Sequence, residues 1–455
     1  MSEALREIIF VYSKMTYSHW KAYWVKMDWT KKWFVLFVLL RPLVDNFYYI
    51  KEFTSFLSPL YIVGVLTPLL GLMSMFSGRM GRRKENSADE FIRVWGLVLI
   101  INCIVMVITK FTIDNFGDAI KYVTPVLLFF YLRHFIQSKE DLHFILQTFL
   151  YSCIFPFGML AYESVFGPID PHHVSEGRGG GTRLRGEYGD SMSYAVYFIG
   201  SFMIYSYFFL EKVFSQTKSQ KPKVFKLFLL FAVCLYGVIS IKHVSTWSVF
   251  ITLVALLLLF NSKNAKGFAV VFFVGLVVLP FFARTIYEKQ IRPLIEKEFT
   301  VISGEKDMEY AFNGRMQRWE RYFDIWDRMP AFSHFFGVSF SRFKEVPVMI
   351  GGGMHNDYVR LLFLTGYFGI AMYVLFLFMV FMQKNRFRPP ERFLILCSIA
   401  AVLLYSISTL PTLYLALMNY IFPVFAFAML PRRYAYASAI PGDQSRKQIN
   451  RQAAA

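Results

Sequence analysis

Twelve apolar runs, each long enough to cross a bilayer and each parted from the next by a polar connection, constrain this chain more than any motif in it. A membrane span needs about twenty apolar residues. The runs centre near Leu40, Val65, Leu99, Leu127, Leu150, Ile199, Leu230, Leu253, Phe273, Met372, Ala400 and Phe422. The third, bounded by Arg93 and Lys110, is among the clearest. With 56% hydrophobic residues and a positive mean hydropathy, the chain is too apolar for a soluble globule. The expected fold is an all-α polytopic membrane protein of about twelve transmembrane helices.

In a soluble protein, the formal charge of +18 would point to nucleic acid. Here the basic residues fall in alternate connections, so the charge reports topology rather than a nucleic-acid partner. Lys and Arg crowd the N-terminal segment (Lys14, Lys21, Lys26, Lys31, Lys32), the connection at Arg79 to Lys84, those at Arg133 and Lys139, at Lys212 to Lys226, at Lys263 and Lys266, at Lys384 to Arg392, and the tail from Arg432. These are expected to face the cytoplasm, with both termini inside. The organisation then reads as a cytoplasmic or interfacial segment, 1–32; nine spans over 33–282, with an outside loop at 166–190; a long outside loop, 283–355; three spans over 356–431; and a cytoplasmic tail, 432–455. A loop as long as 283–355 is expected to be structured and functional. Within it Met316, Trp319, Phe323 and Trp326 fall on one helical face, which should lie on the membrane or on the bundle. Arg315 lies one turn before Trp319, and Pro330 follows the helix.

No cleavable signal precedes the first span, because the opening residues are mixed polar, basic and aromatic. Ile8, Ile9, Phe10, Tyr12, Trp20, Tyr23 and Trp24 among lysines fit either a helix on the inner membrane surface or one packed against the bundle. Cys103, Cys153, Cys234 and Cys397 each sit inside an apolar run, with no disulfide or zinc spacing.

The chemistry-bearing residues gather in the outside connections. His355 follows Gly351, Gly352 and Gly353 and stands at the start of the tenth span, before Asn356 and Asp357. Asn356 suits a helix cap and Asp357 a first turn. Glycines allow main-chain N–H groups to approach an anion, and the positive helix end disfavours an imidazolium, leaving an imidazole able to accept a proton. The plain alternative is an interfacial histidine. Arg183 and Arg185 lie in a glycine-rich loop, Gly179 to Asp190, with Arg178 just before it; forked guanidiniums beside flexible glycines suit a pyrophosphate. His172 and His173 are adjacent, so they would not face one metal. Glu187 and Asp190 could act as a base or bind a cation, but no Asp-x-Asp stands in an outside loop. Lys242 and His243 form a short outside turn that could add one phosphate contact.

His355-Asn356, nine residues, then Gly366-Tyr367-Phe368-Gly369 resembles the signature of the bacterial O-antigen ligase and O-antigen polymerase family, the polysaccharide polymerases among them. Gly314-Arg315 with Trp319, followed by Pro330 and Phe336-Gly337-Val338, resembles that family's long outside loop. Arg183-Leu184-Arg185-Gly186 running into Ser193-Tyr194-Ala195 resembles its earlier arginine loop, with Asp190 to Met192 where Asn-Pro is usual. Arg178 to Gly189 and Arg342 to Gly353 are each eleven apart, a spacing noted in some polysaccharide polymerases.

The resemblance implies a C-type glycosyltransferase-like architecture in the bacterial inner membrane. It implies inverting, metal-independent transfer of glycan from undecaprenyl-pyrophosphate-linked oligosaccharide to a hydroxyl on the periplasmic face, without a cofactor. His355 would be the base; Arg315 and either Arg183 or Arg185 would hold the pyrophosphate. Arg318, Asn356, Gly353 and Arg178 would support substrate binding, and Arg360 would pair with Asp357. A chain-length regulator and a flippase are the protein partners such an enzyme would have. With a lipid-linked repeat as acceptor the enzyme is a polymerase, the preferred reading; with lipid A core it is a ligase. A lipid-linked oligosaccharide flippase is the third reading, disfavoured because the midplanes of the spans are nearly uncharged.

Overall fold

The computed structural model describes residues 17–50, 58–76, 87–109, 112–169, 184, 186–189, 191–214, 224–261, 292, 296, 299–300, 303–304, 315–338, 343, 345–347 and 353–431. Among the described residues every regular element is helical. In order these are α1 (Tyr17–Lys26), α2 (Trp29–Asn46), α3 (Pro59–Phe76), α4 (Ser87–Thr109), α5 (Ile113–Phe135), α6 (Lys139–Ser152), α7 (Ile154–Phe166), α8 (Ser191–Phe214), α9 (Val224–Ile241), α10 (Val244–Phe260), α11 (Arg315–Asp327), α12 (Ala331–Phe336), α13 (Asp357–Gln383), α14 (Pro389–Ser406) and α15 (Leu415–Ala428). Short 3-10 turns cover Lys384–Arg386 and Pro411–Leu413. Five stretches are long and apolar enough to cross a membrane: Lys139–Phe166, Ser191–Phe214, Val224–Ile241, Asp357–Arg386 and Pro389–Ser406. The run centred at Phe273 lies outside the described residues; the other eleven centres each fall within a helix.

The bundle is built around α8, whose apolar window is 94% buried. Its sequence explains the close packing. A Cβ on Gly200 would stand 2.6 Å from the Phe149 ring and 2.9 Å from Tyr420, so α6 and α15 rest directly on the α8 backbone. Tyr194 donates to Pro156 O of α7 at 2.9 Å and Tyr197 stacks on Phe149 of α6, while Phe198 packs on Gly237 of α9 and Phe202 on Phe231 of α9 and Phe250 of α10.

At one end of the bundle, helix ends assigned to the same side by the charge bias meet one another. Lys139 at the start of α6 pairs with Glu211 near the end of α8 and with Glu391 at the start of α14, while His143 Nε2 lies 3.0 Å from Glu211. Arg133 at the end of α5 grips Asp89 at the start of α4 at 2.8 and 2.7 Å. Buried ions require such pairing because desolvation is costly. Here α1 packs on the bundle: Trp20 donates to Thr148 at 2.9 Å and stacks on Phe144, and Tyr23 bonds to Asp141. Ile8, Ile9, Phe10 and Tyr12 lie outside the described residues.

The tenth apolar run is not one straight helix. Gly366 breaks α13 with φ +64 and ψ −173, and the end of α12 passes through the break. Main-chain polar groups at such a break must find partners away from water. Phe363 O accepts from Val338 N at 2.8 Å, and Leu364 O accepts from Asn102 Nδ2 at 2.5 Å, a side chain that also reaches Phe336 O at 3.4 Å. Asn102→Ala should therefore strand a buried carbonyl and cost about 1–3 kcal/mol, read as a lower midpoint of thermal unfolding for the purified protein; an unchanged midpoint would show that the carbonyl is satisfied otherwise.

The amphipathic reading of α11 needs correction. Trp326 and Tyr322 are buried at 1% and 0% exposure and Trp319 is half-buried, whereas Met316 and Phe323 are 45% and 43% exposed. The seated face runs through positions 319, 322 and 326, offsets of three and seven. Tyr322 replaces Phe323 in the stripe because its ring packs edge-on against Phe363. Trp326 donates to Tyr367 Oη at 3.2 Å.

Candidate active site

At the opposite end of the bundle, the connection between α14 and α15, residues 407–414, gathers segments far apart in sequence. Asn356 caps α13 by accepting from Val359 N at 3.1 Å, and donates its Nδ2 to Ile407 O at 3.0 Å. Arg315, the first residue of α11, donates Nη1 to the next carbonyl, Ser408 O, at 3.0 Å. Trp319 donates to Met354 O at 2.9 Å. Arg315 and His355 are thus held through neighbouring atoms of one turn and by a helix bonded directly to the residue before His355.

Below them Asp357 is fully buried and anchors the start of α13. It accepts from Arg360 Nε at 2.7 Å, from Thr412 N at 3.2 Å and from Thr412 Oγ1 at 2.8 Å. The Arg360 guanidinium also lies 5.1 Å from the centre of the Tyr122 ring. Arg360 is therefore structural, as its spacing from Asp357 suggests, and fixes where His355 projects.

His355 itself is exposed and has φ +45, a left-handed conformation uncommon outside glycine and asparagine. Its Nε2 lies 3.5 Å from where a Cβ of Gly353 would stand, so the imidazole lies beside bare backbone. An exposed ring on a fixed, strained backbone can meet a substrate without first shedding a protein cover. Arg318 is half-buried on α11, one turn before Tyr322.

Arg178, Arg183 and Arg185 lie outside the described residues, as do Asp190, Arg342, His172 and His173. The residues flanking Arg185 are described, and their backbone is docked on three helices. Leu184 N donates to Ser240 O at 3.2 Å. Gly186 N lies 3.0 Å from each carboxylate oxygen of Glu163, and Glu187 N donates to Asn46 Oδ1 at 3.1 Å. Gly186 has φ +55, and a Cβ there would meet Asn46 Oδ1 at 3.0 Å. Glu187 is thus a loop residue whose main chain serves as an anchor.

The remaining link is the short connection between α9 and α10. Ser240, which receives Leu184, ends α9; Ser245, at the start of α10, bonds hydroxyl to hydroxyl with Ser408, the residue whose carbonyl holds Arg315. His243 stands just before α10, its Nδ1 2.9 Å from the side-chain hydroxyl of Thr246. A continuous chain of contacts therefore runs from the 184–187 segment through the α9–α10 connection to the 407–412 turn, Arg315 and the start of α13.

Four participants escaped sequence reading: the 407–412 turn, Glu163, Asn46 and Arg41. Arg41 in α2 is 9% exposed and bonded to Asp45 at 2.6 Å, Asp45 in turn accepting from Tyr197 Oη at 2.8 Å. An Arg and Asp four apart inside an apolar run are the signal that could have found it.

In comparisons with known proteins, no family model matches the chain, and no curated protein or solved structure matches it either.

Proposed function

We propose that the chain is a bacterial inner-membrane glycosyltransferase of about twelve spans, with both termini cytoplasmic, that polymerises polysaccharide on the periplasmic face. The donor is glycan on a polyprenyl pyrophosphate, and the acceptor is a hydroxyl of a lipid-linked repeat. The observation that carries the reading is the gathering of Arg315, His355 and the backbone flanking Arg185 around two short connections at one end of the bundle. That arrangement supplies the two things the reaction needs.

In the reaction, the bond from the donor's anomeric carbon to the pyrophosphate oxygen breaks as the acceptor oxygen attacks from the opposite face. The acceptor proton passes to His355 Nε2, and polyprenyl pyrophosphate leaves with the bonding electrons. The charge that develops falls on the leaving group, where Arg315 and one of Arg183 or Arg185 stabilise it by charge-assisted hydrogen bonds. Arg315 would exchange its bond to Ser408 O for the substrate.

The buried Arg41–Asp45 pair is the feature that most favours transport. It lies in the last third of α2, five residues or about 7 Å from Asn46, which holds the 184–187 segment. Arg41 adjoins Leu40, the centre of the first apolar run, while Asp45 adjoins Asn46, so the pair reaches from near the midplane to the site end of the bundle.

The test uses the purified protein in lipid, with chelator present and polyprenyl-pyrophosphate-linked repeat as substrate. Wild type is expected to build a ladder of glycan lengths, and Arg315→Ala to slow it by roughly 100-fold or more. Transfer only after lipid A core is added would make the enzyme a ligase. Transfer to neither acceptor would remove the catalytic reading and put transport first.

A further inference from the structure

Within the long connection that the sequence puts outside the membrane, α12 turns its phenylalanines outward. Phe332 is 71% and Phe335 50% exposed, with Phe336 exposed beside them. The change at Pro330 is abrupt: the exposed positions of α11 before it include Glu320, Arg321, Asp324, Asp327 and Arg328, whereas Ala331–Phe336 holds no acid, lysine or arginine. His334, its one ionisable group, is drawn back onto Trp326 O at 2.6 Å. Exposed apolar rings in such a cluster mark a surface with a partner.

The neighbours of α12 say what that partner is. Phe335 stacks on Phe368 of α13 at 5.6 Å, and Phe336 O accepts from Asn102 of α4 at 3.4 Å. Each of these helices presents an exposed apolar stripe at helical spacing: Tyr367, Val374, Phe378 and Met382 on α13, and Leu97, Ile101, Ile104 and Ile108 on α4. α13 belongs to a stretch long and apolar enough to cross a membrane, so the phenylalanines of α12 extend the surface that such a span turns to lipid. Phenylalanine suits hydrocarbon, whereas tyrosine and tryptophan favour the headgroup level. The backbone also fits a place without water, where polar groups need protein partners. Ser333 N and His334 N donate to Pro330 O, Gly337 N to Ser333 O and Val338 N to Phe363 O. We propose that α12 re-enters the bilayer, its exposed face in contact with the acyl chains of the leaflet nearest the candidate site. α11, which runs from Arg315 toward α12, then ties that site to an element held in lipid while its own charged face stays in water. This placement requires a membrane-embedded chain and no particular reaction.

Full-length protein in phosphatidylcholine nanodiscs would carry a nitroxide spin label at Phe332→Cys or Phe335→Cys, with Phe378→Cys on the α13 stripe and Asp324→Cys on the charged face of α11 as references. Wild type serves as the blank, since Cys153, Cys234 and Cys397 are buried and Cys103 is partly so. Two positions on α12 are probed so that misfolding of one variant, seen by thermal unfolding, leaves the other. Dissolved oxygen, which concentrates in hydrocarbon, is expected to relax the label at 332 and 335 more than a water-soluble nickel chelate does, as at 378, with the order reversed at 324. Nickel reaching 332 and 335 as readily as 324 would put α12 in water. Neither reagent reaching them would show that protein covers this face. Either result overturns the proposal with the span of α13 intact; nickel reaching 378 as well would remove the membrane reading itself.

Discussion

His355→Asn is expected to lower the rate of glycan transfer by about 10²- to 10⁴-fold, with the protein folded and the donor still bound. Asparagine is the informative substitution because, unlike alanine, it enters the left-handed region readily, so it keeps the φ of +45. It also keeps a polar side chain beside Gly353 and removes only a group able to take a proton. His355→Ala should lose as much rate, together with a small loss of stability from the strained backbone. Rates at saturating donor and donor binding, measured separately, decide the matter. A drop in rate with unchanged binding is the signature of a group that acts on the acceptor hydroxyl. A drop in binding alone would place His355 with the arginines as an anion contact, and transfer within tenfold of wild type in both variants would remove it from the chemistry.

Much of this is legible in the sequence, for physical reasons that particular residues illustrate. Apolar runs are long-range averages, so they survive local irregularity; the eleven described run centres all lie in helices, and five stretches are long and apolar enough to cross a membrane. Asn356 as a cap and Arg360 beside Asp357 were legible because both depend on spacing within one turn. The 407–412 turn was not legible. Its contribution is made mostly by carbonyls, Ile407 O to Asn356 and Ser408 O to Arg315, and every residue type has a carbonyl. The face of α11 was misread because Tyr322 buries its ring as completely as a phenylalanine would. Glu163 stayed hidden in an apolar run for a related reason: its partner is a backbone N–H, Gly186, which leaves no trace in composition. The Phe336-Gly337-Val338 and Gly366-Tyr367-Phe368-Gly369 sequences were visible as separate pieces, but not that they face each other.

That crossing gives the second large effect. Gly366→Ala should destabilise the protein by more than about 3 kcal/mol, since the backbone it needs is essentially reserved to glycine and the added methyl has nowhere to go. At Gly366 the new Cβ would lie 2.3 Å from Phe335 O and 2.4 Å from its carbonyl carbon; at Gly337 on the facing strand of chain, which has φ +85, it would lie 2.4 Å from Leu364 C. Both obstacles are main chain, so no rotamer change relieves them, and α12 must leave the break in α13. The carbonyls of Phe363 and Leu364 then lose the geometry that Val338 N and Asn102 provide. The start of α13, with Asn356 and His355, loses its fixed angle to the rest of the helix. Gly369→Ala differs in kind: its Cβ would meet the Cβ of Thr365 at 2.2 Å and its hydroxyl at 2.5 Å, a side-chain obstacle that glycine at 365, lacking a Cβ, removes. Thr365→Gly is therefore expected to relieve Gly369→Ala in part, at the cost of a second glycine in the helix, and no second side-chain truncation to restore folding and transfer to Gly366→Ala, as read by thermal unfolding and by ladder formation. Restoration of Gly366→Ala by trimming Phe335 or Phe368, which stack at 5.6 Å, would show that side chains and not the backbone crossing hold α12 in place.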